Sequence, residues 1–146
     1  MGGAWLSSLR TRADAFAAIV AVAGNISVRD WQTCDPENRV PVLNIHGHDD
    51  DVVGMTGDPV TGVPSMPALL GRWADWNGVV RNESANSYSN GYLTHYPDWD
   101  GKLVAKLAAL SEAGHDWPIG FDDRYYFSGE IWRFFDSVAH WSPPNG

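Results

Sequence analysis

The sequence is poor in cysteine, in positive charge and in long apolar runs, and it lacks one short motif. Cys34 is the only cysteine among 146 residues, so no disulfide can form within the chain. Lysine and arginine total 10 against 18 aspartates and glutamates, a formal charge of −8. That balance argues against nucleic acid or an anionic membrane surface as partner. No apolar run approaches the roughly 20 residues that a membrane-spanning helix needs. No Gly-x-Ser-x-Gly occurs, so no serine sits on the sharp strand-to-helix turn that exposes an activated hydroxyl. No internal repeat is present.

What remains describes a folded protein. Hydrophobic residues make up 44% of the chain and charged residues 19%, proportions of a globular chain rather than a disordered one. The length suits one domain over residues 1–146.

Trp5, Leu6, Leu9 and Ala13 follow helical spacing and predict a helix over about residues 3–14. Phe16–Val22 is an uninterrupted apolar run of strand length, suited to the middle of a parallel sheet. Arg10 and Arg12 ahead of this run, with Ala21-Val22-Ala23 at its end, imitate a signal peptide. Trp5, Leu6 and Asp14 fit that reading poorly, and a helix followed by a buried strand fits better. Residues 27–39 read as loop. Pro41–His46 is a second strand that Gly47 breaks. Residues 54–64 hold three glycines and two prolines and read as an irregular connection. Met66, Leu69, Leu70 and Trp73 then mark an amphipathic helix, with Ser65 as cap, Pro67 in its first turn and Gly78 at its end. Residues 81–101 read as loop. Leu103–Leu110 leans towards helix by propensity, yet its place just before Gly114-His115 predicts a strand. Ile131, Phe134, Phe135 and Val138 predict a last helix, capped by Ser128. Strand, strand, helix, strand, helix in that order gives an α/β fold with a parallel sheet.

Sites in such sheets form beyond the carboxyl ends of the strands. Asp50 and His115 both follow strand ends and can meet there. A carboxylate can hold an imidazole in one tautomer and stabilise its charged form while the ring takes a proton from a nucleophile. Asp49, Asp50 and Asp51 compete for the acid role. Asp50 has the best spacing, three residues after Gly47 and three before Val53, with Asp51 next. The plainer alternatives are a solvated acidic turn or a helix cap for Asp50, and a hydrogen-bonded loop histidine for His115. His46, His48 and Asp50 also form a His-x-His-x-Asp pattern that could begin a zinc site, with His95 or His115 as a later ligand; the plainer alternative packs His46 at the strand end and leaves His48 in the turn. Ser7 and Ser8 are weak nucleophile candidates inside the presumed first helix. The eight tryptophans offer stacking surface, but core packing is the expected job of most, Trp73 and Trp132 included.

Taken together, the segments resemble the polyhydroxybutyrate depolymerase and feruloyl esterase-like family of α/β hydrolases. Met1-Gly2-Gly3-Ala4 resembles the residues just after the nucleophile, and Phe16–Gly24 the strand that follows. Pro41–Gly47 with Asp50 and Val53 resembles the acid strand and turn. Arg72-Trp73 through Asn77-Gly78 resembles the next helix. Gly114-His115-Asp116-Trp117-Pro118 resembles the base segment, and Glu130–Phe135 the terminal helix. The match spans nearly the whole chain but only the later half of the family's catalytic domain.

The resemblance implies an incomplete α/β-hydrolase fold made of the later strands and helices. It implies carboxylic ester hydrolysis through a Ser-His-Asp triad, with Asp50 as acid and His115 as base and with no cofactor or metal. The substrate class would be a polyester or a plant cell-wall ester of the feruloyl or acetylxylan type, and the address secreted or cell envelope. The nucleophile serine and the upstream oxyanion segment are missing, so the chain is expected to be inactive alone and to need an N-terminal half or self-association. Relatives often carry a cysteine where Val79 stands, which leaves Cys34 without the family's disulfide partner. Two other readings remain open: a zinc hydrolase built on His46, His48 and Asp50, and a non-catalytic relative that only binds.

Overall fold

The described residues build a five-stranded sheet in the order β1-β2-β5-β4-β3. The computed structural model describes residues 16–34, 39–79, 84–88, 91–97, 103–116 and 127–140. The strands are β1 (Ile19–Val22), β2 (Val42–Gly47), β3 (Ser84–Tyr88), β4 (Gly91–Pro97) and β5 (Leu103–Leu110). The helices among the described residues are α1 (Val28–Thr33), α2 (Met66–Trp76) and α3 (Phe127–Val138).

β1, β2 and β5 are parallel, with Ile19 opposite Val42 and Val42 opposite Ala105. The expected strand at Leu103–Leu110 is present despite its helical propensity. Residues 104–110 are all buried. Burial on both faces overrides weak local preference.

The purely parallel sheet is corrected. β3 and β4 form an antiparallel hairpin that pairs onto β5, so the sheet is mixed and the class is α/β. The same hairpin corrects the loop expected over 81–101. Its polar, Asn- and Ser-rich composition belongs to an edge ribbon, where Ala85, Asn86 and Ser87 are exposed. Three smaller corrections concern element ends. β1 begins at Ile19 and Phe16 is exposed. Residues 28–33 are a short helix rather than loop, capped by Ser27, whose hydroxyl accepts from the Asp30 amide. α3 starts at Phe127, which places Ser128 inside it rather than at its cap. The expected helix at residues 3–14, with Ser7 and Ser8, lies outside the described residues.

Successive side chains on a strand point to opposite faces, and the two cores follow that alternation. On one face Val42, Leu107 and Ala109 pack with Met66, Leu69, Leu70 and Trp73 of α2. On the other, Leu43, Ile45, Ala108 and Leu110 pack with Phe134 and Val138 of α3. Each large apolar side chain so buried contributes about 1.5–3 kcal/mol. Ser65 caps α2 through a bond from the Ala68 amide, as its sequence position predicts. Asn77 follows α2 and ties Val40 to Val104 by donating to both carbonyls. Trp73 is buried and donates to the Val40 carbonyl. Trp132 is 72% exposed, which corrects its assignment to the core: on α3 it sits off the arc of Phe134 and Val138. Cys34 is buried in the same apolar cluster as Val79.

A candidate acid–base site at the strand ends

β2 and β5 are neighbouring parallel strands, so their carboxyl ends lie side by side. Backbone bonds stitch the two exits together. The His48 amide donates to the Leu110 carbonyl at 2.8 Å, and the Asp49 amide donates to the Ala113 carbonyl at 3.0 Å. Gly47 makes this approach possible. A Cβ there would lie 2.1 Å from the Ala113 carbonyl oxygen and 2.6 Å from that of Gly114. On the other side of the contact Glu112 has φ 60°, a left-handed conformation that costs about 1–3 kcal/mol for a residue with a side chain. It turns the chain sharply after β5 and delivers His115.

His115 and Asp50 come together across this junction. His115 Nδ1 lies 3.0 Å from Asp50 Oδ2. The carboxylate is the fixed member, with its side chain fully buried, while the imidazole is 38% exposed. Asp50 Oδ1 accepts from the Val52 amide at 3.0 Å and the Val53 amide at 2.7 Å. Burial pushes the carboxyl pKa up, but the Val53 amide, the His115 bond, the Val52 amide and the His115 charge together outweigh it, and the pKa falls below the ordinary 3.8. The carboxylate is therefore held ionised. An ionised Asp50 accepts the Nδ1 proton of His115 and leaves Nε2 as the nitrogen able to exchange a proton.

The other candidates separate from this pair. Asp51 is exposed. Asp49 is exposed and sits 3.5 Å from His48, which is exposed too. His46 is buried and its Nε2 lies 2.6 Å from the Val53 carbonyl oxygen. A ring nitrogen donating to a carbonyl has no lone pair for a metal at that atom. His46, His48 and Asp50 therefore do not converge as zinc ligands, and among the described residues no group of three or more His, Cys, Asp or Glu could hold a metal ion. His95 lies in β4, with its ring against the Asn86 amide, and adds no ligand. Trp117 and Pro118 of the base segment lie outside the described residues.

A cleft of about 340 Å³ adjoins the acid turn. Val52 and Val53 form one wall, Asn25, Ile26 and Ser27 another, and Asp58 and Thr61 a third. Sequence reasoning gave no hint of it, because its walls come from three loops with no shared pattern. The i,i+4 spacing of His46 and Asp50 fits a ligand pattern or a histidine packed at the strand end, and the structure bears out the second, with His46 buried against Asp50.

Comparison with models of known protein families finds no match, and comparison with curated proteins finds none.

Proposed function

We propose that this chain supplies the acid and the base of a serine-type carboxylic ester hydrolase, resembling the polyhydroxybutyrate depolymerases and feruloyl esterases on an α/β-hydrolase fold. The observation that carries the reading is the 3.0 Å contact between His115 Nδ1 and a buried Asp50, at the carboxyl ends of adjacent parallel strands. In this reading Asp50 fixes the ring with its proton on Nδ1. His115 Nε2 then takes the proton of a serine hydroxyl as that oxygen attacks the ester carbonyl, and later returns it to the departing alcohol. The carboxylate stabilises the imidazolium between the two transfers.

The serine belongs to a Gly-x-Ser segment outside these 146 residues, in an N-terminal half or another chain. Among the described residues β1 pairs with β2 alone, and a nucleophile-bearing strand would pair on its free side. The cleft beside the acid turn takes one arm of the ester. Among the described residues Asp58 is the one ionisable side chain in its walls and no cation lines it. With the chain's charge of −8, this favours neutral esters, such as a polyester or an acetylated or feruloylated cell-wall polymer. A polymeric substrate goes with secretion or the cell envelope.

The test is hydrolysis of a short-chain aryl ester. The chain alone is expected to give no acyl-enzyme burst, since acid–base help to water is worth about 10²–10⁴-fold, short of the 10⁶-fold or more of typical enzymes. Adding an upstream half bearing Gly-x-Ser should restore turnover. Asp50→Asn should then lower kcat by up to about 10⁴-fold, the loss known for a triad acid in the wrong hydrogen-bonding state. Turnover that His115→Ala leaves intact would sink the proposal.

A further inference from the structure

The mechanism above uses one of the two imidazoles that face Asp50. His46 lies four residues before it, at the carboxyl end of β2, and both side chains are fully buried. His46 Nε2 is 3.3 Å from Asp50 Oδ2 and 2.6 Å from the Val53 carbonyl oxygen. A carbonyl only accepts, so Nε2 carries a proton and donates it to the Val53 carbonyl, with Asp50 Oδ2 alongside at 3.3 Å. Nδ1 of the same ring is buried without a partner. Leaving a buried polar atom unpaired costs about 1–3 kcal/mol. An apolar side chain at this place would avoid that cost, so the ring is retained at a penalty.

The contacts close a loop around the acid. Val53 donates its amide to Asp50 Oδ1 and accepts from His46 at its carbonyl. Oδ1 thus meets two amides, and Oδ2 meets two imidazoles, those of His115 and His46. With Oδ1 occupied, rotation of the carboxyl about its bond to Cβ is blocked. His46 lies against Oδ2, the same oxygen that meets His115.

We propose that His46 is a positioning residue for the Asp50–His115 pair: its Nε2 proton bolts the Asp50–Val53 turn from below and keeps Oδ2 aimed at His115 Nδ1. The inference rests on the acid–base reading of that pair. It assigns His46 no contact with substrate.

Ring ¹⁵N chemical shifts of the full chain test it without any need for activity. In the unmodified protein His46 should be protonated at Nε2, and neutral His115 should hold its proton on Nδ1 alone. His46→Phe keeps an aromatic ring, a slightly larger one, and removes the donor. It should turn His115 into a mixture of tautomers. His46→Gln places an amide N–H where Nε2 was and should restore the single Nδ1–H form. Asp50→Asn serves as the reference for complete loss. If Asp50→Asn leaves the His115 tautomer unchanged, the acid–base pair itself is wrong. If Asp50→Asn scrambles His115 but a folded His46→Phe does not, the pair stands and His46 only fills space. Should His46→Phe fail to fold, two measurements still decide. A His46 proton found on Nδ1 in the unmodified protein overturns the inference, and so does a folded His46→Gln with a scrambled His115.

Discussion

Two buried carboxylates, Asp50 and Glu130, are held in opposite ways. Asp50 sits at the strand ends and is surrounded by two backbone amides and two imidazoles. Glu130 lies on α3 over the middle of β5 and is held by two cations, Lys106 from the strand and Arg133 one turn on. The Lys106–Glu130 contact is short and both side chains are 8% exposed. Burial, with Arg133 adding to it, pushes Lys106 down to about 8. Around Asp50 the donors are neutral or titratable and one ring reaches solvent. Around Glu130 two cations meet one carboxylate and the lysine is sealed under a helix. In the proposed reading the first arrangement moves a proton between protein and substrate. The second can only hold a helix to a sheet.

The largest expected effect tests that division. Lys106→Met removes the main partner of a buried charge, and the usual loss is about 3–5 kcal/mol. Arg133 softens the loss only partly, because its side chain is 70% exposed and an exposed pair contributes little. Lys106→Met with Glu130→Leu should recover most of the stability, since an apolar pair can replace a buried ion pair at little cost. Denaturant midpoints of the two variants measure this. A double variant as unstable as the single one would show that the ions do more than neutralise each other.

A smaller effect separates two glycines that look equivalent in the sequence. Gly47 and Gly114 each open a histidine-bearing segment. A Cβ at Gly47 would strike the backbone of the opposite turn, whereas at Gly114 nothing lies within 4 Å. Gly47→Ala should cost about 1–3 kcal/mol, as overpacking does, and should pull His115 away from Asp50. Gly114→Ala should stay within about 0.5 kcal/mol. Thermal melts rank the two, and a Gly114→Ala loss equal to that of Gly47→Ala would show that the junction is not built as described.

The contrast between the carboxylates also explains what could be read ahead of the fold. Asp50 and His115 announce themselves because each follows an apolar run and a glycine, and because parallel strands must end on one side. The three-strand parallel core was legible for the same reason. Glu130 and Lys106 did not announce themselves. A lone lysine in Leu103–Leu110 looks like a solvent-facing residue, and only the register under α3 buries it. The hairpin Ser84–Tyr88 and Gly91–Pro97 was hidden by its polar composition. Its stability comes from pairing on β5, which no local pattern encodes. Trp132 failed in the other direction: an aromatic on a helix was expected inside, yet the buried arc of α3 includes Glu130 instead.

The finest distinction between the two regions is the pH at which each yields. Beside Lys106, on β4, stands His95, directly opposite it in register. Burial, and then the Lys106 charge, lower the pKa of His95 below the ordinary 6.5. As the pH falls through 6.5 the unfolded chain takes up a proton at this residue while the folded chain does not. Stability therefore drops with acidification, and the loss is complete below the folded-state value. Asp50 behaves with the same sign in a lower window. Its folded-state pKa lies below 3.8, so its contribution is full above 3.8 and is lost as the pH falls through the folded value. Acid unfolding should thus show two steps, the hairpin region as the pH falls below 6.5 and the acid–base junction as it falls below 3.8. His95→Gln should flatten the first step and leave the second. Asp50→Asn should flatten the second and leave the first. Chemical denaturation repeated from pH 7 to pH 3 measures both slopes. A single slope abolished by either variant would mean that the two regions do not titrate independently.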